Sequence, residues 1–139
     1  MRKILLIALL FASLLSCKKD KDPGLSSPEG SWTYTTPDGK IGVTFDVVVA
    51  SSGFDVQNQA IRVNGVDGKA EKTVTAFTST GFQKIRINAN DSKLVSPYDI
   101  NFNNGVVSGD FKTITVPTAT YSYPYGTTNN LSSITITRK

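Results

Sequence analysis

A two-residue alternation of apolar and polar side chains constrains the fold more than any other feature of this sequence. It recurs along the chain, in residues 43–50, 84–89, 99–102 and 134–137. Side chains of a β-strand point alternately to opposite faces, so each run predicts a strand with one face in the core and one in solvent. No stretch shows a convincing helical period of about 3.6 residues. The sequence therefore predicts an all-β fold.

Short turn sequences separate the predicted strands. Asp or Asn is followed by Gly at residues 38–39, 64–65, 67–68 and 104–105, and such pairs favour tight turns between antiparallel strands. About eight short strands result, which predicts a small antiparallel, lipocalin-like β-barrel or, alternatively, a β-sandwich. The phase of the alternation changes between residues 54–56 and 61–63, which predicts a bulge or a strand break near residues 57–60.

The N-terminus has the organisation of an export signal. Arg2 and Lys3 precede an apolar run over residues 4–15, which is shorter than the about 18 residues of a transmembrane helix. This order of charged and apolar regions, closed by a small residue, predicts a signal peptide over residues 1–16.

The end of that segment carries a short motif. The sequence Leu14-Leu15-Ser16-Cys17 resembles the lipobox of bacterial lipoproteins, although Leu15 is bulkier than the residue usual at that position. The resemblance implies cleavage before Cys17, lipidation of the Cys17 thiol and anchoring of the chain to a membrane.

The segment after the motif predicts a flexible tether over residues 17–29. It contains charged residues, Pro, Gly and Ser, and it has no hydrophobic periodicity, as in solvated linkers. Its mixed-charge run resembles the segment that follows the cysteine in bacterial lipoproteins displayed on the outer face of the outer membrane. The resemblance implies an outer-membrane lipoprotein of the cell envelope that is exposed at the surface. The alternative is a plain hydrophilic spacer.

Residues 30–139 predict one all-β domain, long enough to bury a core without covalent cross-links. Cys17 is the only cysteine, so no disulfide is expected within the chain. Removing Arg2 and Lys3 from the 15 basic residues leaves 13 against 11 acidic residues. Because no basic cluster stands out, a nucleic-acid partner is not indicated.

Three residues at the two ends of this domain favour the barrel. Gly30 and Trp32 open the first predicted strand, and Arg138 closes the last one. The pattern resembles the calycin group, which comprises the lipocalins and their lipocalin-like relatives. The resemblance implies structural roles for Gly30, Trp32 and Arg138, with the guanidinium packed over the indole at a closed barrel end. A Thr-Asp-Tyr-type turn, which lipocalins carry beyond the first strand, is missing from the sequence.

The residue inventory argues against catalysis. The chain has no histidine, which removes Ser–His and Cys–His nucleophile pairs and His-ligated zinc. The acidic residues fall in predicted turns or on solvent-facing strand positions, so they do not indicate a catalytic carboxylate pair. We therefore expect a protein that is not an enzyme and that uses no metal or cofactor.

A tyrosine row is the candidate ligand-binding feature. Tyr121, Tyr123 and Tyr125 alternate along an extended segment that Pro124 interrupts, and Tyr98 adds a fourth ring. On a strand the three rings would line one face, which suits stacking on sugars, apolar ligands or a partner protein. The alternative is that these rings cover the end of the core.

These features predict a lipid-anchored cell-envelope β-domain that acts as a non-catalytic binding or structural module. Its expected partners are the membrane, through Cys17, and a glycan, a small apolar molecule or an envelope protein. The alternative is a lipocalin-like carrier of a small apolar molecule. About 110 residues leave little room inside a barrel, so we expect a filled interior and a ligand that meets the exterior at the tyrosine row.

Overall fold

The computed structural model describes residues 24–94, 97–124 and 126–139. The predicted signal peptide, the lipobox and Cys17 lie outside the described residues. Eight antiparallel strands follow one another around a closed barrel, each paired with the next and the last with the first. They are β1 (Gly30–Thr35), β2 (Ile41–Ala50), β3 (Gly53–Val63), β4 (Val66–Thr75), β5 (Gly81–Ala89), β6 (Asp99–Val107), β7 (Thr113–Ser122) and β8 (Thr128–Arg138).

The predicted fold class is confirmed: the protein is all-β, and its strands form a small eight-stranded, lipocalin-like barrel. The alternative of a β-sandwich is wrong, because β8 pairs with β1 and closes a single sheet. Strand β1 begins at Gly30, where the sequence predicted the domain to start. The described part of the chain contains no helix long and apolar enough to cross a membrane.

Alternating side chains fill the inside of the barrel. Trp32, Phe45 and Phe102 are fully or almost fully buried, together with isoleucines and valines from most of the strands. Val49 is an exception to the predicted pattern, since it is 64% exposed at the hairpin end of β2. The strand there extends past the layer of residues that could cover it. The interior of the barrel is thus occupied by the protein's own side chains.

A bulge interrupts β3 where the sequence predicted one. Asn58 has a positive φ of 49°, and the pairing of β2 with β3 shifts register between Thr44 and Asp46. Asn104 and Ser133 also have positive φ angles, within β6 and β8. Such irregularities bend strands and increase their twist, which helps a short sheet to close on itself.

The two ends of the barrel are covered by different side chains. At one end, which we call the Arg138 end, β1 begins and β8 finishes. Arg138 lies directly opposite Trp32 in the β1–β8 pairing. Its guanidinium donates hydrogen bonds to the carbonyl oxygens of Ser27 (3.1 Å), Phe111 (3.3 Å) and Glu29. One side chain thereby ties the segment before β1 to the β6–β7 loop.

Gly30 makes room for this guanidinium. A Cβ atom at Gly30 would lie 2.7–3.0 Å from atoms of the Arg138 guanidinium, and the φ of Gly30 is +134°. The Trp32 indole donates a hydrogen bond from Nε1 to the carbonyl oxygen of Pro28 at 2.9 Å. The structure therefore brings together Gly30, Trp32 and Arg138, and it shows the guanidinium held by backbone carbonyl groups.

Phenylalanine rings complete the Arg138 end. Phe77, in the β4–β5 loop, is buried and packs against Phe54 and Phe82, with ring centroids 5.9 and 5.4 Å apart. The Phe54 amide donates to the Phe77 carbonyl oxygen at 2.9 Å. The aromatic residues of the Arg138 end are therefore mainly phenylalanines, whereas those with hydroxyl groups lie at the opposite end.

Candidate functional site

All tyrosines that the structure describes lie at the end of the barrel opposite Arg138, which we call the tyrosine end. It is formed by the β1–β2, β3–β4, β5–β6 and β7–β8 connections. Its aromatic residues are Tyr34, Tyr98, Tyr121 and Tyr123. Tyrosine has an apolar body and a polar tip, which suits it to the boundary between a core and a bound ligand.

The predicted tyrosine row faces a different way from our expectation. Tyr121 is opposite Ile100 in the β6–β7 pairing and is only 6% exposed, with its side chain inside the barrel. An exterior face was expected, and that expectation is wrong for Tyr121, whose buried ring agrees with the alternative that these rings cover the end of the core. The alternation that buries Ala119 also buries the ring of Tyr121. Tyr125 lies outside the described residues.

Tyr123 and Tyr98 form the rim above Tyr121. Tyr123 follows the end of β7 and Tyr98 precedes the start of β6, and both are half-buried. Their ring centroids are 6.0 Å apart, and the planes of the rings are inclined by 30°. The sequence predicted Tyr98 as an addition to the row, and the structure places its ring beside that of Tyr123.

Asp38, in the β1–β2 turn, holds the hydroxyl of the buried Tyr121. The Tyr121 hydroxyl donates to Asp38 Oδ2 at 2.9 Å, the Thr36 hydroxyl donates to Oδ1 at 2.6 Å, and the Lys40 amide donates to Oδ1 at 3.0 Å. The hydrogen bond from Thr36, with those from Lys40 and Tyr121, lowers the pKa of Asp38. The carboxylate is therefore ionised at neutral pH and points toward the tyrosines.

Tyr34, on β1, is the most unusual member of the site. It is 8% exposed, and its ring meets that of Phe102 edge-on, at 5.6 Å and 90°. Its hydroxyl oxygen is buried and has no hydrogen-bond partner among the described residues. Burial, followed by the electrostatic influence of Tyr121 and of the Asp38 carboxylate, raises the pKa of Tyr34. A buried hydroxyl without a partner costs about 1–3 kcal/mol, so this group calls for an explanation.

The pairing of β1 with β8 is short on the side of Tyr34. It comprises Trp32 with Arg138 and Thr33 with Thr137, and the Lys139 amide adds a bond to the Ser31 carbonyl oxygen. Among the described residues it does not continue to Tyr34 and Thr35. This part of the wall lacks the ladder hydrogen bonds that hold the other strands.

A groove of about 470 Å³ runs along the outer wall of the barrel. Gly42 and Ala60 are among its lining residues, together with the side chains of Thr35 and Arg62. Arg62 donates to both carboxylate oxygens of Asp67, at 2.6 and 2.7 Å, and the hydrogen bond lowers the pKa of Asp67. Two of the charged groups of this groove, Arg62 and Asp67, satisfy each other, which makes it a weaker candidate than the tyrosine end.

The remaining acidic groups of the described residues serve the fold. Asp46 accepts from Ser31 and Asn58, Asp55 is paired with Lys72, and Asp99 is paired with Arg86. No cluster of three or more metal-ligating side chains occurs in the described ranges. What the tyrosine end offers chemically is hydrogen bonding and stacking.

Fold and site together define a small closed β-barrel, with Arg138 and phenylalanine rings at one end and the described tyrosines at the other. No family model, curated protein or solved structure matches this chain. Sequence reasoning missed Tyr34 and Asp38 as site residues. Tyr34 shares the inward face of β1 with Trp32, which was a usable signal. Asp38 read only as a turn residue, because its contact with Tyr121 spans 83 positions.

Proposed function

We propose that this chain is a lipid-anchored protein of the bacterial cell envelope whose barrel is a non-catalytic binding module. The tyrosine end is its binding surface. The observation that carries the proposal is the gathering of all described tyrosines at one end of a barrel, where Tyr121 donates to Asp38 and Tyr98 lies beside Tyr123, while the opposite end is closed by Arg138 and phenylalanines.

A filled interior supports binding at this end rather than deep inside the barrel. A carrier of a small apolar molecule needs an internal cavity, commonly of about 300 Å³ or more. Here the interior positions are occupied by large side chains that include Trp32, Phe45 and Phe102. The carrier function is therefore the less favoured of the two candidates.

The point at which the predicted tether joins the barrel agrees with binding at the tyrosine end. Residues 27–29 are held at the Arg138 end. With Cys17 lipidated in the outer membrane, the Arg138 end faces the lipid and the tyrosine end faces away from it. A glycan, a small molecule or an envelope protein then reaches the tyrosines without obstruction by the membrane.

A binding screen on the full chain in detergent tests the proposal. Glycans, apolar probes and envelope extracts are compared on the wild type and on a Tyr98→Ala/Tyr123→Ala variant. The matched control is Val49→Ala/Val106→Ala, which also removes two side chains but on exposed positions of β2 and β6. We expect the rim variant to lose at least about tenfold in affinity and the control to keep it. Equal binding by all three proteins would show that the tyrosine end is not the binding surface.

A further inference from the structure

One edge of strand β8 is free over most of its length. On the side of β7, nine residues of β8 are paired, from Thr128 to Thr137. On the side of β1, only Thr137 and Arg138 are paired, and the Lys139 amide adds one hydrogen bond to β1. Among the described residues, positions 128–135 of β8 therefore have no strand partner on this side, which we call the β8 edge.

Backbone donors and acceptors point out from this edge. The Lys139 amide donates toward β1, and alternate residues of an antiparallel strand present their N–H and C=O groups on the same side, so Thr135 presents its groups there too. On β1, the Thr36 amide donates to the Ile41 carbonyl oxygen, so the groups of the preceding residue, Thr35, point toward β8. Thr35 and Thr135 are not paired with each other. In the free protein water can satisfy such exposed groups, so the β8 edge is an available set of donors and acceptors rather than a strained one.

The β1–β2 turn, which follows the end of β1, does not occupy the β8 edge. Its backbone hydrogen bonds run within the turn, to Ile41 of β2 and to Asn64 after β3. Its Asp38 accepts from the side chain of Tyr121 on β7. No hydrogen bond of the turn reaches the backbone of β8 within the described ranges. Four side chains of the edge are exposed, those of Asn130, Ser132, Ser133 and Thr135. This half of β8 is therefore accessible from solvent.

The β8 edge lacks most of the devices that protect sheet edges. Proteins block exposed edges with charged side chains, prolines and bulges, and a fully closed barrel has no edge at all. Residues 128–135 read Thr-Asn-Asn-Leu-Ser-Ser-Ile-Thr, with neither a charge nor a proline. The one irregularity in this segment is the positive φ of Ser133, 53°. A charged strand would find no counter-charge along these residues, so an uncharged extended segment fits the edge best.

Two occupants from the chain itself fit this edge poorly. A second copy related by a two-fold axis would pair its own β8 edge antiparallel to the first. Its barrel would then be turned end over end, and the two tethers would leave in opposite directions, although both are proposed to be anchored in one membrane. The chain's own tether leaves at the Arg138 end, where Ser27 is held, whereas the β8 edge extends toward the tyrosine end. The occupant that remains is a segment of another protein.

We propose that the β8 edge accepts an extended, uncharged segment of another envelope protein as an added strand. The inference rests on the proposed function, a binding module in the cell envelope, but it uses a surface distinct from the rim of Tyr98 and Tyr123. Main-chain hydrogen bonds to the edge supply affinity, and the alternate side chains of the added strand supply specificity.

The test uses the full chain in detergent and fluorescence anisotropy with labelled peptides. The probes are uncharged octapeptides in which Thr or Ser alternates with Val, Ile or Tyr, each matched with a copy that is N-methylated at every second residue and so cannot pair as a strand. We expect unmethylated peptides to bind and their methylated copies to bind at least about tenfold more weakly, the value of one or two main-chain hydrogen bonds. Thr135→Pro removes an edge N–H that is in no described ladder and should cause a similar loss, whereas Thr135→Val keeps that N–H and should keep the affinity. Asn130→Lys, which places a charge on the edge, is a second blocking variant should Thr135→Pro fail to fold.

The rim variant Tyr98→Ala/Tyr123→Ala separates this inference from the proposed function, because it leaves the β8 edge intact and should keep peptide binding. Failure of every octapeptide, or equal binding of the methylated copies, would overturn the added strand and leave the rim as the proposed binding surface. Peptide binding that persists in both Thr135→Pro and Asn130→Lys would place the peptides elsewhere and reject the β8 edge. Self-association of the wild type that Thr135→Pro abolishes would replace the partner protein with a second copy. Peptide binding at the edge, together with a rim that binds nothing, would reject the tyrosine end instead.

Discussion

The hydroxyl of Tyr121 donates a hydrogen bond to the carboxylate of Asp38 at 2.9 Å, across 83 positions of the chain. The bond joins strand β7 to the β1–β2 turn over the rim of the barrel. Asp38 is exposed and Tyr121 is buried, so the contact lies at the boundary between the core and solvent. It fixes the Asp38 carboxylate against the end of β7.

Replacing Asp38 with Asn should change how stability depends on pH. The folded pKa of Asp38 is lowered from 3.8, so the carboxylate stabilises the fold above pH 3.8, and this contribution is lost as the pH falls through the lower folded pKa. We expect the free energy of unfolding of Asp38→Asn to fall below that of the wild type at pH 7 and to approach it as the pH falls below 3.8. Urea unfolding at a series of pH values measures this difference. A constant difference across the range would show that the charge of Asp38 does not stabilise the fold.

Replacing Tyr34 with Phe should leave the protein equally stable or make it more stable, by up to about 1–3 kcal/mol, because a buried hydroxyl without a partner is removed. Tyr121→Phe is the matched comparison, since it removes a hydroxyl that is bonded to Asp38. We expect it to lose about 1 kcal/mol. Urea unfolding of both variants checks the pair. A clear loss of stability in Tyr34→Phe would mean that its hydroxyl is satisfied in the native protein.

Replacing Gly30 with Ala should destabilise the barrel by about 1–3 kcal/mol. The new Cβ would meet the Arg138 guanidinium at 2.7–3.0 Å, and the φ of +134° disfavours any side chain. In an Arg138→Ala background the steric part of this cost should disappear, so the effects of the two substitutions should not add. A double-mutant cycle from urea unfolding measures the coupling. Additive effects would indicate that only backbone strain acts at Gly30.

Replacing Cys17 with Ala should release the protein from the membrane fraction or leave it uncleaved, because lipidation of this thiol is the proposed anchor. Leu25→Ala, a change in the tether that keeps the thiol, serves as the control and should stay in the membrane fraction. Fractionation with immunoblotting distinguishes the forms by location and size. A processed Cys17→Ala chain that remains in the membrane fraction would contradict the lipoprotein proposal.

Local patterns predicted the alternation within strands but not every turn. Turns form at residues 38–39 and 64–65, but the turns expected at residues 67–68 and 104–105 are wrong, because these pairs lie within β4 and β6. The alternation in residues 84–89 and 134–137 correctly indicated Ile85, Ile87, Ile134 and Ile136 as buried, because the period of a strand is a local property. The phase change near Asn58 likewise located the bulge.

The tyrosine site was predicted only in part, because its geometry depends on which face of β7 points into the core. Tyr121 and Tyr98 were identified as candidates, but the inward direction of Tyr121 follows from closure of the sheet. Tyr34 and Asp38 come together with β7 only when β1 pairs with β8 around the barrel. No local pattern carries that information.

The hydrogen bonds between Arg138 and the backbone of residues 27–29 have a mechanical consequence. A pull on the chain before Ser27 is transmitted first to the guanidinium bonds at Ser27 and Glu29 and to the indole bond at Pro28. Beyond these contacts, β1 is held by six paired residues of β2 along its whole length. Load therefore enters the barrel through both its first and its last strand, so that unravelling from Gly30 requires these bonds to break first.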